Sequence, residues 1–397
     1  MMQMDSGAGE VRSIAWWEKA LLGVRVEELP RLVPGLLLAL AVALVAQVGA
    51  SALGGALLRL QGLDPAGKGS PISAISVAVI LGLLVANTVG VHRAFAPGID
   101  FAVKKVLRLG IILVGIKLSV VDVLEVGAVG VPIVAALVAF ALVAALGIAR
   151  RAGVSPQLGA LAAASTAICG VTATLAVAPG IEADDREVAY TVANVTLFGL
   201  VGMLLYPWLA HAVFGDASAA AGLFLGTSIH DTSQVMGAAL SYRELFGDER
   251  AMQVATVAKL TRNAMLVAVV PLLAFLHARR AGGQGGGAGS LAKLFPLFVL
   301  GFLALSVVRT VGDLGLQGGG RALGVWDAAS WKAIASLVGE RIPVVALGTA
   351  LAGVGLGTRL AVFRGLGLRP LLVGFAAALL VAGVSLGLAA LAGPLLG

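Results

Sequence analysis

The stretch Leu223-Phe224-Leu225-Gly226-Thr227-Ser228-Ile229-His230-Asp231-Thr232-Ser233-Gln234-Val235-Met236-Gly237 decides the fold class. It lies inside an apolar block over 219–241, long enough to cross about 30 Å of hydrocarbon. Its centre, 226–234, has little apolar content. A regular helix facing lipid gains nothing from such a centre. Broken backbone at that depth is tolerated only where protein buries it or where it lines a watery cavity. The stretch therefore reads as a discontinuous membrane helix. The class that follows is all-α, a polytopic membrane protein.

The rest of the chain agrees with that class. Only 12% of its 397 residues are charged, against about 25% in a soluble domain. Mean hydropathy is +1.00. The long Leu, Val, Ala and Gly blocks are not the short alternating segments of a membrane β-barrel. The 54 glycines suit close packing of helices in lipid. A net charge of +7 does not indicate nucleic acid, because the Lys and Arg residues lie in short loops with no basic face. Cys169 is the single cysteine, so no disulfide framework is encoded.

About eleven spans are expected, at 32–54, 70–90, 104–121, 128–149, 157–179, 187–214, 219–241, 250–277, 291–311, 333–357 and 370–393. Residues 1–31 form a cytoplasmic or interfacial segment, and 32–397 a single transmembrane transporter domain. The first 30 residues lack an apolar core and a small-residue cleavage site, unlike a signal peptide. Ile14 to Leu29, with Trp16 and Trp17 among charges, reads as an interfacial helix. Residues 312–332 read as a Gly-rich loop followed by a surface helix.

Basic residues set the expected orientation. Arg93, Lys104, Lys105 and Arg108 fall on one side, with Arg150, Arg151, Arg279, Arg280, Lys293, Arg359, Arg364 and Arg369. That side is expected to be cytoplasmic and to hold the N-terminus, with the C-terminus outside a bacterial inner membrane. The acidic loops Glu182 to Asp185 and Glu244 to Glu249 are expected opposite. Arg309, Arg321 and Lys332 run against this pattern.

Two internal likenesses suggest repeats. Asp185-Arg186-Glu187, followed by Tyr190 to Asn194, resembles Asp248-Glu249-Arg250, followed by Ala255 to Lys259. Each follows a polar, broken segment, spans 5 and 7. Spans 2–4 resemble spans 9–11, which makes the second copy circularly rearranged. Spans 2 and 9 come out inverted; spans 5 and 7 do not if both cross fully. A re-entrant segment at either position changes that count.

Ionisable groups at membrane depth are costly and mark function by default. Span 7 supplies Thr227, Ser228, Thr232 and Ser233 as hydroxyl and backbone donors for an anion, and His230 and Asp231 for proton or ion coupling. A polar clamp between helices would use the same residue types. Span 8 places Lys259, Arg262 and Asn263 on one face, at i, i+3 and i+4. Two cations there need Asp231 or an anionic substrate as partner. Span 5 adds Ser165 and Thr166. Asn87, Thr88, Asn194, Thr196, Glu340 and Arg341 read as structural. No phosphate loop and no zinc helix is present, so neither nucleotide, metal nor other cofactor is expected, nor any catalytic residue.

Gly115-Ile116-Lys117-Leu118-Ser119, Ser165-Thr166-Ala167-Ile168-Cys169-Gly170, Gly226 to Val235 and Val257-Ala258-Lys259-Leu260-Thr261-Arg262-Asn263 together resemble the YeiH-type sulfate exporter family of bacterial membrane proteins. The resemblance runs from about residue 35 to the C-terminus. It implies a plan similar to the cation/proton antiporter and bile-acid symporter group, with broken helices crossing at mid-membrane and span 5 at the crossing. The second polar break in this chain is span 7, a departure from a five-plus-five order.

The expected function is export of a small oxyanion, sulfate or an organosulfonate, by an ion-coupled secondary transporter. The expected partners are that inorganic or organosulfur anion, a proton or other coupling ion, and the lipid bilayer. Gly-rich faces permit a homodimer. A cation/proton antiporter carrying its ion on Asp231 is the alternative. An intramembrane enzyme using His230 and Asp231 as base is the third reading.

Overall fold

The structure, a computed structural model, describes residues 18, 24–60, 70, 72–280, 297–359, 361 and 368–396. Most of the expected interfacial helix, with Trp16 and Trp17, lies outside the described residues, as do Lys293 and Arg364. Every extended element among the described residues is a helix. In chain order they are α1 (Leu29–Leu60), α2 (Ala74–Thr88), α3 (Ala96–Phe101), α4 (Leu107–Val114), α5 (Val120–Arg151), α6 (Pro156–Ala167), α7 (Val171–Val177) and α8 (Asp185–Phe214). Then follow α9 (Ser218–Ser228), α10 (Thr232–Phe246), α11 (Glu249–Ala264), α12 (Leu266–Arg280), α13 (Leu297–Gln317), α14 (Ala328–Ser336), α15 (Ile342–Gly357) and α16 (Leu368–Ala392).

Among the described residues, seven helical stretches are long and apolar enough to cross a membrane: Val26–Leu60, Val120–Arg151, Asp185–Phe214, Glu249–His277, Leu297–Gln317, Ala328–Gly357 and Arg369–Leu395. The other four expected spans fall on shorter or interrupted helices. One is α2. Another is α3 with α4, joined by a π-helical turn at Ala102–Val106. The last two are the pairs α6–α7 and α9–α10. Against the expectation of about eleven transmembrane helices, some of them discontinuous, the described residues show seven long helices and four shorter or broken segments.

The two broken pairs turn back on themselves. Ser155 caps α6, accepting from the Leu158 N–H at 3.1 Å, and Asp184 caps α8 in a reciprocal capping box with Glu187. The Ser155 hydroxyl also donates to the Glu187 carboxylate. The chain that leaves at Ser155 has thus returned beside it by Glu187. At the second pair the Tyr242 hydroxyl reaches the Gly215 carbonyl at 3.4 Å, and Phe246 stacks on His211 with centroids 3.8 Å apart. That chain, too, ends where it began.

The pairs enter from opposite ends of α8. This helix has 30 residues, about 45 Å at 1.5 Å per residue. Its first turn meets Ser155, and its last turn meets α10. The first pair lies at the Arg150–Arg151 end of α5, where a Cβ on Gly159 would be 3.0 Å from Ala149. The second lies at the far end of α16, where Arg250 donates to the Leu396 carbonyl at 3.3 Å. The loop Glu182 to Asp185 consequently shares an end with Arg150 and Arg151. Its expected place opposite them assumed that span 5 runs straight through, whereas the chain turns at residues 168–170. Glu244 to Glu249 does lie at the other end.

Small residues allow close contact elsewhere. A Cβ on Gly35 would lie 2.8 Å from the Ile99 N, and one on Gly82 would lie 2.6 Å from the Ala352 carbonyl oxygen. These contacts seat α1 on α3 and α2 on α15. Between α13 and α14, Asp313 binds Arg309 at 2.6 Å and accepts from the Trp331 indole at 2.8 Å. Arg309, which runs against the charge pattern, is thereby neutralised locally. Trp331 is buried against Gly312, so α14 is held to the bundle by its aromatic face.

Candidate functional site

The tips of the two broken pairs meet inside the bundle. The first tip turns at Ile168, Cys169 and Gly170, where Gly170 has φ +65° and ψ −116°. The second turns at Ile229, His230 and Asp231. A Cβ on Gly170 would lie 3.4 Å from the Asp231 Cα and N. The backbones of both breaks therefore touch, and only glycine fits the positive φ at such close approach.

Breaking two helices leaves two sets of C-terminal carbonyls without helical partners, each carrying partial negative charge. Lys259 and Arg262, a turn apart on α11, answer both. Lys259 Nζ donates to the carbonyls of Ile168 at 3.0 Å, Ile229 at 3.2 Å, and His230. Three acceptors match the three N–H bonds of an ammonium group. Arg262 donates from Nε to Ala167 at 2.7 Å and from Nη1 to Thr227 at 2.7 Å and Ile229 at 3.0 Å. Its Nη2 donates to Thr166. Both side chains are at most 1% exposed, and no ion pair among the described residues includes either.

The remaining expected residues gather around this clasp. Asp231 caps α10, accepting from the Ser233 N–H at 2.8 Å and from the Ser233 hydroxyl. Asn263 donates to the Thr232 hydroxyl at 3.2 Å. Thr227 shares a 2.5 Å hydrogen bond with Ser385 of α16. Ser165 donates to the Ala162 carbonyl at 3.0 Å. The Ser228 hydroxyl and His230 Nδ1 are buried with no hydrogen-bond partner among the described residues. Asp231 is the carboxylate that faces these two cationic side chains at the tips.

A cavity of about 380 Å³, its open mouth included, runs between α6, α8 and α16 from Val154 and Pro370 to the tips. Its deep end carries Ser165, Thr166, Asn194 and His230. Among the described residues, no Asp, Glu, Lys or Arg lines it. The two cations stand one layer behind: Arg262 holds the Thr166 carbonyl, and Lys259 that of His230. Thr227, Ser228, Thr232, Ser233 and Asn263 do not line this space. Sequence reasoning set Asn194 aside as structural. Here it lines the cavity and donates to the Pro370 carbonyl at 3.1 Å. Ser385 was missed; a lone serine within the last apolar block was its signal.

Long apolar helices around two opposed, charge-clasped breaks define a polytopic membrane protein whose centre is built from interrupted helices. The chain belongs to the family described as Conserved hypothetical protein 698, whose model matches residues 34–374. Its relatives are UPF0324 membrane proteins, in agreement with the YeiH-type resemblance. One from Bacillus cereus is 31% identical over 75% of this chain and 81% of its own. One from Nitratidesulfovibrio vulgaris is 32% identical over 89% of this chain and 91% of its own. The UPF0324 membrane protein TauZ of Paracoccus pantotrophus is 35% identical over 60% of this chain and 70% of its own. No solved structure matches the chain.

Proposed function

We propose that this protein is a secondary transporter that exports a small oxyanion across the bacterial inner membrane. The observation that carries the proposal is the clasp of Lys259 and Arg262 across two opposed breaks, outside any ion pair among the described residues. Basic side chains at membrane depth are costly unless something uses them. An anion in transit uses them. The cations act through charge and through the carbonyls they hold, while Ser165, Thr166 and His230 meet the anion.

The protein crosses nine times, with α6–α7 and α9–α10 as re-entrant pairs, its N-terminus cytoplasmic and its C-terminus outside. Arg150, Arg151, Arg279 and Arg369 support that orientation. Counted this way, spans 5 and 7 are inverted copies, as are spans 2–4 and 9–11. Alternating access then arises by rocking one repeat against the other. No nucleotide motif is present, so a gradient drives the cycle. His230 is the coupling group, since Asp231 is committed to capping α10. That same commitment weighs against the antiporter reading, in which Asp231 carries a cation.

The test is flux from proteoliposomes loaded with radiolabelled sulfate and, in parallel, a short alkyl sulfonate. The expected result is efflux of an oxyanion that responds to an imposed proton gradient and falls at least tenfold in His230→Ala. Failure of every oxyanion to move under either gradient sign would overturn the proposal. Sodium-dependent proton movement without added anion would establish the antiporter instead.

A further inference from the structure

We infer that the cavity between α6, α8 and α16 is the binding site of a monoanionic organic oxyanion carrying a short apolar chain. The assignment rests on the transporter reading and specifies the cargo at that same site. Three observations carry it.

First, His230 is 3% exposed, lines the cavity, and has an Nδ1 with no hydrogen-bond partner among the described residues. A buried polar atom left unpaired is costly, so a ligand that pairs with it gains where water is scarce. Second, the basic groups at the tips, Lys259 and Arg262, already face one carboxylate, Asp231. A dianion such as sulfate would carry more charge into this buried site than a monoanion does. Both cations sit behind the cavity wall, so their field reaches the head group without a direct ion pair.

Third, the walls are apolar. Leu158, Val195, Phe198 and Val373 line the space above the polar end, and Phe198 is held by Phe375 with centroids 5.5 Å apart. A bare tetrahedral anion contacts little of this surface. A head group at His230 directs an attached chain of two to four carbons along it, towards Val154 and Pro370. Small-molecule sites commonly pair apolar walls with a few placed polar groups in this way.

The test is calorimetric titration of the purified full-length protein with methane-, ethane- and propane-1-sulfonate and with sulfate, at one ionic strength. The expected result is that propane-1-sulfonate binds at least tenfold tighter than sulfate. Affinity should rise about fourfold for each added methylene, the gain for burying one such group. His230→Ala should weaken propane-1-sulfonate at least tenfold while remaining monodisperse on gel filtration. If that variant does not fold, the chain-length series on the natural protein decides alone. Sulfate binding as tightly as propane-1-sulfonate, or equal affinity along the series, would overturn the assignment. Sulfate flux without chain preference would do so and leave the transporter reading standing. Failure of any oxyanion to bind or move would remove both.

Discussion

Lys259 directs three N–H bonds at three carbonyls, so removing it orphans those of Ile168 and His230, while Ile229 keeps its bond from Arg262. Each buried acceptor left unpaired costs about 1–3 kcal/mol. Lys259→Met keeps the volume and loses the donors, and is expected to destabilise the protein by about twice that unit. Thermal unfolding in detergent, followed by gel filtration, reads the loss; an unchanged midpoint would mean that the clasp contributes nothing. Arg262→Lys is the finer probe. Arg262 makes four carbonyl contacts from three nitrogens, and an ammonium group has only three donors on a compact head. The variant should fold, unfold earlier than the natural protein, and show reduced anion flux. The pairing of Lys259 with Arg262 on one face was legible in the sequence, because i and i+3 fix it. Their partners were not. Backbone carbonyls at a broken helix end have no residue type, so spacing pointed to Asp231 or a cargo and could not point to Ile168 or Thr227.

At the scale of elements, the polar centre of span 7 and the glycine of span 5 both marked breaks before any coordinates. The reversal of direction at each break left no such mark. Residues 157–179 have the length of one crossing, and α6 followed by α7 uses that length to go in and come back. Only tertiary contacts, such as Ser155 with Glu187, separate the two cases. The parity conflict between spans 5 and 7 was the sequence's one hint, since a re-entrant segment removes it. Gly170 is where the reversal is most exposed to test. Its φ of +65° disfavours any side chain, and a Cβ there would lie 2.7 Å from Val195 Cγ1. Backbone strain of this kind costs about 1–3 kcal/mol. Gly170→Ala should therefore part the tips and abolish flux, even if the protein still inserts. Gly383→Ala is the matched control. Nothing lies within 4 Å of a Cβ at that position, which sits inside α16. It should leave flux and yield unchanged, or raise yield slightly through helix propensity.

For the whole molecule, the decisive quantity is which face each loop reaches. Eleven full crossings and nine crossings with two re-entrant pairs give the same faces for both termini, so terminal tags cannot separate them. They differ at two loops. With full crossings, residue 183 lies opposite residue 151, and residue 217 shares the face of residue 151. With re-entrant pairs the assignments exchange: 183 joins 151, and 217 moves across. Cys169 is the only native cysteine and is buried at the first tip, so a Cys169→Ala background leaves introduced thiols as the sole targets. Arg151→Cys, Ala183→Cys and Ala217→Cys can then be labelled in intact cells with a membrane-impermeant maleimide. Arg151 and Ala217 are exposed at loop ends, and Ala183 is half-buried. With Arg151 on the cytoplasmic face, the expected pattern is labelling of the 217 variant alone in intact cells, and of all three after permeabilisation. Labelling of 183 without 217 would restore full crossings at spans 5 and 7. The inverted relation of the two breaks would go with it, because both tips would then run in the same sense through the membrane. Rocking of one inverted repeat against the other needs two half-sites of opposite sense, so this labelling pattern bears on the proposed transport cycle as directly as it bears on topology.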